Sequence, residues 1–189
     1  MNPMTAADFE ARYRADLDPW GYTHSAYEQA KYEATLRACG AGPFTSALEL
    51  AGSIGVFSEM LAPRCRWLAT VDVAPTAVEA ARARLAPHRQ TEVILGAIPD
   101  AVPDRSYDLV VASEILYYLP DPALAGTLAL LERTMAPAAR LVAVHWRPPG
   151  PERPRDAAAA HAILHEQPWL APLEPAGTED YLLDVLVRR

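Results

Sequence analysis

The sequence predicts an α/β protein: a Rossmann-like, doubly wound, mostly parallel sheet with an antiparallel carboxyl-terminal strand and a helical amino-terminal segment. Three observations predict it. Short apolar runs alternate with segments of helical period from Ala47 to His145. The stretch Leu48 to Phe57, Leu-Glu-Leu-Ala-Gly-Ser-Ile-Gly-Val-Phe, reads as strand, tight turn and helix start, because Gly52, Ser53 and Gly55 allow a sharp turn before apolar residues resume at Val56, Phe57, Met60 and Leu61. Asp72 ends the next apolar run about 20 residues beyond that turn, where a nucleotide-binding sheet places an acid.

Taken in order, residues Ala6 to Asp16 suit a helix that Asp18-Pro19 must break, since a proline disfavours helical backbone at the residue before it. A second helix is expected from Ser25 to Cys39, with Tyr27, Ala30, Ala34 and Leu36 as a partial apolar face. Strands are expected at Ala47 to Leu50, Trp67 to Asp72, Glu92 to Leu95, Asp108 to Ser113 and Leu141 to His145. Between them fall helices at Gly55 to Leu61, Pro75 to Leu85 and Pro122 to Met135, the last two opening on proline, with Asp121 as a cap for the third. Arg147 to Pro154 is proline-rich and reads as a surface loop, Arg155 to His165 as a helix, and Tyr181 to Val187 as a final strand. Trp169 to Leu173 is the expected hairpin partner of that strand despite Pro168, Pro172 and Pro175.

The 189 residues fit one domain by the rule of about 100–200 residues per domain. Residues 1–42 are expected to form a helical segment and 43–189 the core. A formal charge of -7 argues against a polyanionic partner, because nucleic-acid affinity comes from Lys and Arg on phosphates. Cys39 and Cys65 are far apart and lack a His cluster, so they read as packing residues rather than a disulfide or zinc site. Met1 to Glu10 lacks the basic start and apolar stretch of a signal peptide, and the best apolar run, Leu109 to Leu119, is broken by Glu114 and falls short of the roughly 20 residues of a span. A cytoplasmic protein acting on a small molecule, with no membrane partner, is expected. Oligomeric state is open.

Ligands of parallel sheets sit at the carboxyl ends of strands. Two residues there are candidate general bases. His145 ends the fifth strand and its imidazole suits proton transfer near neutral pH, or it closes the strand by bonding backbone. Glu114 follows the fourth strand, as a base or as a structural acid. Tyr117 and Tyr118 offer aromatic faces to a cation or a phenol to an amine or hydroxyl, with one expected inward and one toward the site. His161 and His165 share a helix face but lack a third metal ligand, so no metal is expected.

The turn lacks the G-x-G-x-x-G spacing of a pyrophosphate site, having only Gly52 and Gly55, which sets a nicotinamide-dependent enzyme behind one using S-adenosylmethionine. Asp18-Pro19-Trp20, Tyr27-Glu28, the Glu49 to Gly55 strand and turn, Ser113-Glu114-Ile115-Leu116-Tyr117-Tyr118-Leu119 and Met135-Ala136-Pro137 fall in the order of one family. Over Tyr13 to Trp146 the chain resembles the nodulation protein S family of class I S-adenosylmethionine-dependent methyltransferases. That resemblance implies methyl transfer to N or O of a small polar molecule such as an amino sugar, a sugar or a natural-product intermediate, with S-adenosylhomocysteine as by-product. It also implies cofactor contacts from Tyr13, Trp20, Tyr27, Glu49, Ala51, Gly52, Ser53, Gly55, Asp72, Val73, Ala97, Ile98 and Ser113; by position at the strand ends His145 is the first catalytic candidate, Glu114 the second, and Tyr117 steers the acceptor. In it the turn passes the methionine portion, Asp72 holds the ribose, and the amino-terminal segment closes as a lid. The chain departs from the family pattern at Ala51 and Ser53, where glycines are usual, at Ala97, where an acid is frequent, and at Ala138-Ala139, which replaces Gly-Gly and needs ordinary dihedrals. These departures keep a second class open, a binding or regulatory protein that retains the fold without turnover.

Overall fold

The computed structural model describes residues 4–173 and 177–189, so Pro175 and residues 1–3 lie outside the described residues. Helix α1 (Ala6–Ala15) opens on a capping box in which Thr5 and Asp8 bond each other's backbone N–H. Helix α2 (Ala26–Cys39) is capped by Ser25 and stops at Gly40, whose φ of 95° suits glycine. Strands and helices then follow as β1 (Ala47–Leu50), α3 (Val56–Leu61), β2 (Leu68–Asp72), α4 (Pro75–Leu85), β3 (Thr91–Leu95), β4 (Tyr107–Ser113), α5 (Asp121–Thr134), β5 (Met135–Trp146), α6 (Ala157–His165), β6 (Leu170–Pro172) and β7 (Tyr181–Arg188).

The seven strands form one sheet in the order β3-β2-β1-β4-β5-β7-β6. The first five run parallel, β7 lies antiparallel to β5, and β6 pairs antiparallel with β7. Strand order reverses between β1 and β4, which opens a crevice at their carboxyl ends. Successive strand residues face opposite sides. Leu48, Leu50, Val110, Leu141 and Ala143 therefore pack with Leu124, Leu128 and Leu131 of α5 and Leu164 of α6. Ala47, Leu109, Val111, Val142 and Val144 pack on the other side with Tyr32 of α2, Phe57 of α3 and Ala77 of α4.

Several expectations are corrected. Asp121 is the first helical residue of α5, not its cap, and Pro122 is the second; Pro120 occupies the cap without a side-chain bond. Strand β5 begins at Met135, where a helix end was expected, because Met135 pairs with Tyr107 ahead of a bulge. In that bulge Ala138 has φ 62°, so the turn that replaces Gly-Gly is not built from ordinary dihedrals. The fully buried residues of α2 are Glu28, Lys31, Tyr32, Thr35 and Cys39; of the apolar positions expected, Tyr27, Ala34 and Leu36 pack half-buried beside them and Ala30 is exposed. Cys39 and Cys65 are both buried, free thiols pushed up to about 12 by that burial, which keeps them unreactive. No helix among the described residues is long and apolar enough to cross a membrane.

Candidate active site

A cavity of about 910 Å³ occupies the crevice at the strand ends, roofed by α1, α2 and their connection. Its floor is the turn after β1. Gly52 is required there for space, since a Cβ at this position would lie 1.7 Å from Thr70 Oγ1. The flanking Ala51 and Ser53 adopt φ of 58° and 51°, so the non-glycine residues carry the left-handed backbone. Asp72 ties the floor together: Oδ2 accepts the Ser53 N–H at 2.9 Å and Oδ1 accepts the Ala74 N–H at 3.0 Å. Burial raises the Asp72 pKa, partly offset by those backbone donors. Glu49, 3% exposed, accepts the Ser58 hydroxyl, and burial pushes its pKa up to about 7.

The second wall is a buried ionic cluster. Lys31 Nζ bonds Glu114 Oε1 at 2.8 Å and Glu28 Oε1 at 3.1 Å. Glu114 also accepts the Tyr117 hydroxyl and, at 3.1 Å, the Trp146 N–H. Burial alone lowers the Lys31 pKa, but the carboxylates of Glu114 and Glu28 outweigh it, so Lys31 stays an ammonium. Burial raises the pKa of Glu28 despite the Lys31 charge. Tyr27 Oη takes no hydrogen bond among the described residues, and Glu28 Oε2 is held by its charge alone, 3.0 Å from Lys31 Nζ.

The lid is fastened at several points. The Tyr13 hydroxyl bonds Ser53 Oγ, and Tyr13 packs edge-on against Trp20 with ring centroids 5.4 Å apart. Glu10 accepts the Thr76 N–H at 3.0 Å, and Arg12 pairs with Glu152 at 2.9 Å, which ties α1 to the loop of residues 147–154. Of the cofactor residues expected from sequence, all but Gly55 line the cavity, namely Tyr13, Trp20, Tyr27, Glu49, Ala51, Gly52, Ser53, Asp72, Val73, Ala97, Ile98 and Ser113. Gly55 instead caps α3 at φ 80°, where a Cβ would press on Ala81 of α4 at 3.2 Å. Its role is helix packing.

Glu114 and Tyr117 line the cavity, as does Tyr118, which is half-buried. His145 does not. Strand alternation turns it to the α6 side with Leu141 and Ala143, fully buried behind Tyr117. Its Nε2 accepts the Leu116 N–H at 3.0 Å and its Nδ1 lies 2.9 Å from His161 Nε2. His161 Nδ1 in turn bonds Asp184 Oδ2 at 2.9 Å, and His165 Nε2 bonds the same oxygen at 2.6 Å. One tautomer satisfies the chain, with His145 and His161 each protonated on Nδ1. Burial and the neighbouring His161 hold the His145 pKa well below its ordinary value. With both nitrogens engaged away from the cavity, His145 is not placed to take a proton from a ligand.

His161 is likewise buried rather than on a solvated surface, and Asp184 is the nearby acid that the linear sequence did not reveal. No group of three or more His, Cys, Asp or Glu side chains among the described residues is arranged to hold a metal ion. An apolar stripe gives no sign that Glu28 and Lys31 turn inward or that Arg153 joins them at the cavity. The signal was present: Glu28, Lys31, Thr35 and Cys39 recur at helical spacing.

The geometry can be set beside known proteins. The family model described as Nodulation protein S (NodS) matches residues 5–163. The chain belongs to the nodulation protein S family. A family relative from Sinorhizobium fredii is 35% identical over 133 residues, covering 69% of this chain and 62% of that protein, so the match leaves more than a third of the relative unspanned. The crystal structure of N-methyltransferase NodS from Bradyrhizobium japonicum WM9 in complex with S-adenosyl-L-homocysteine superposes with a TM-score of 0.87 at 26% identity, covering 98% of this chain and 99% of that one. A putative methyltransferase from Pseudomonas syringae gives a TM-score of 0.76 at 33% identity, over 87% of this chain and 100% of that one. The nodulation protein S fold, with its mixed seven-stranded sheet, is thus the fold of this chain.

Proposed function

We propose that the chain transfers the methyl group of S-adenosylmethionine to the nitrogen of a small polar amine, such as an amino sugar or a natural-product intermediate. The observation that carries this reading is a single cavity joining the Ala51–Ser53 turn and Asp72 to the buried Glu28–Lys31–Glu114 cluster. Membership of the nodulation protein S family and the S-adenosylhomocysteine held by a relative support the donor.

The residues present suit that donor. Asp72 offers a buried carboxylate for ribose hydroxyls, and Glu49 a buried acid that no side-chain cation neutralises among the described residues, as a methionine ammonium would. Ala97 and Ile98 leave adenine to backbone and apolar contact. When bound, the donor supplies a methyl already activated on sulfonium and leaves as S-adenosylhomocysteine. The protein's share is to align the amine with that methyl and remove one proton. Glu28 is the base in this reading, because it lines the cavity and burial raises its pKa toward that of an amine even with Lys31 3.0 Å from its Oε2. Glu114, saturated by Lys31, Tyr117 and the Trp146 N–H, acts as the anchor that holds the cluster in place.

Calorimetry with S-adenosylhomocysteine tests the donor, and methyl transfer from labelled S-adenosylmethionine to amines and their N-acetyl counterparts tests the acceptor atom. Binding with transfer to the free amine alone supports the reading. An absence of binding ends it, and tight binding without turnover on any acceptor favours the regulatory alternative.

A further inference from the structure

Two cations line the cavity, Lys31 and Arg153, and they differ in what they face. Lys31 is engaged by two carboxylates. Arg153 has no carboxylate partner among the described residues, and its side chain makes one hydrogen bond, from Nη1 to the Pro148 carbonyl at 3.0 Å. Its guanidinium carbon lies 4.0 Å from the Tyr117 ring centroid, 5.5 Å from that of Tyr118 and 5.4 Å from that of Trp146. Aromatic faces hold a guanidinium by cation–π attraction and shield its plane from water, yet leave its in-plane donors without acceptors. Here Nε and Nη2 are those donors. The loop that carries Arg153 is itself fixed, through Arg12–Glu152 at 2.9 Å and the Met4 N–H on the Glu152 carbonyl at 3.1 Å.

A guanidinium held flat at a cavity wall with a free edge matches a planar or tetrahedral oxyanion through two parallel N–H bonds. The same cavity is lined by the Glu28 and Glu114 carboxylates, two anions that share the single ammonium of Lys31, and by Tyr27, whose hydroxyl takes no hydrogen bond among the described residues, so it suits an ammonium. We propose that Arg153 is a specificity-determining residue that takes an oxyanion of the acceptor, so that the amine methylated by this chain also carries a carboxylate or phosphate. This rests on the methyl-transfer reading above and narrows its substrate class. An amine without an acid group leaves the half-buried guanidinium edge to water and forgoes the two charge-assisted N–H bonds, which is the difference that discriminates.

The test uses S-adenosylhomocysteine-saturated protein titrated by calorimetry with matched pairs, glucosamine 6-phosphate against glucosamine and tyrosine against tyramine. Wild type, Arg153→Lys and Arg153→Ala are compared. The expected result is that in at least one pair the acid-bearing member binds wild type about tenfold or more tighter, an effect of about 1.4 kcal/mol. That preference falls in Arg153→Lys, which keeps the charge without the fork, and vanishes in Arg153→Ala. The pair that responds tells carboxylate from phosphate. Failure of the wild type to bind S-adenosylhomocysteine at all overturns the methyl-transfer reading. Intact S-adenosylhomocysteine binding with equal affinities in both pairs, with no binding by any member, or with an acid preference that survives Arg153→Ala overturns the role of Arg153 alone.

Discussion

Ala51, Gly52 and Ser53 invert the usual division of labour in a strand-end turn: the glycine answers a steric demand from Thr70, while its two neighbours hold left-handed backbone. Such backbone costs a non-glycine residue about 1–2 kcal/mol, of which glycine recovers part after its greater unfolded-state entropy. Ala51→Gly and Ala138→Gly should each stabilise the chain by about 1 kcal/mol, a rise in Tm of about 2–4 °C for a protein of this size. Thermal denaturation checks both, and only Ala51→Gly should also alter S-adenosylhomocysteine affinity, because Ala138 lies in the β5 bulge outside the cavity. Glu49 gives a second residue-scale expectation. Its folded pKa near 7 lies above the ordinary 4.5, so the unfolded chain releases this proton first and stability falls as pH rises from 4.5 to about 7. Glu49→Gln should therefore show a stability advantage over wild type that grows across that window, measured as denaturation midpoints. Cofactor binding that sets an ammonium beside Glu49 should release a proton near neutral pH, seen as a dependence of calorimetric heat on buffer ionisation enthalpy.

Between elements, the informative arrangement is the line from Asp184 on β7 through His161 on α6 to His145 on β5 and the Leu116 N–H. It holds the turn after β4 from behind, and Arg155 holds the same turn by donating to the Leu116 carbonyl at 2.8 Å and to the Leu119 carbonyl. That turn carries Glu114, at φ 55°, and both cavity tyrosines. His145→Ala strands the buried Leu116 donor and the His161 acceptor, at about 1–3 kcal/mol for each unsatisfied group, and should lower Tm accordingly. His145→Gln, which can still accept and donate, should lose less. The pH dependence has a definite sign. Below its ordinary 6.5 the unfolded chain protonates this histidine and the folded chain does not, so its contribution to stability is lost as pH falls below 6.5. Wild type should lose more stability than His145→Gln between about pH 7 and pH 5.

For the molecule as a whole, the sheet separates two cores and leaves its crevice to a lid made of α1 and α2. Ligand bound across crevice and lid stabilises the folded state alone, so S-adenosylhomocysteine at about 100 times its Kd should add about 2.7 kcal/mol. Differential scanning calorimetry should record a rise in Tm of about 5–10 °C. Asp72→Ala should reduce that rise by weakening both the ribose contact and the Ser53 N–H bond that shapes the turn. An unchanged shift would remove Asp72 from the cofactor site.

Local rules made the strands, the turn, Asp72 and most helix limits legible, because apolar period, glycine geometry and proline position act within a few residues along the chain. Family order among Asp18-Pro19-Trp20, Tyr27-Glu28 and the Ser113–Leu119 segment carried most of the cavity-lining residues with it. The proton chemistry was not legible in that way. His145 reads as a site residue by position, yet the packing of α6 over its face of β5 buries it, and no local pattern tells which side of a sheet a later helix will cover. Nothing local marks Glu28 or Lys31, and Glu114 reads as a base or a structural acid; α2 brings the three together, where each is tolerable only because the others neutralise it at 2.8–3.1 Å. The sequence by itself determined the sheet, the turn and the family, all set by near neighbours. Only the tertiary structure decided which charged groups meet in the cavity, because their pairing spans residues 28 to 114 and exists only once the lid has closed on the sheet.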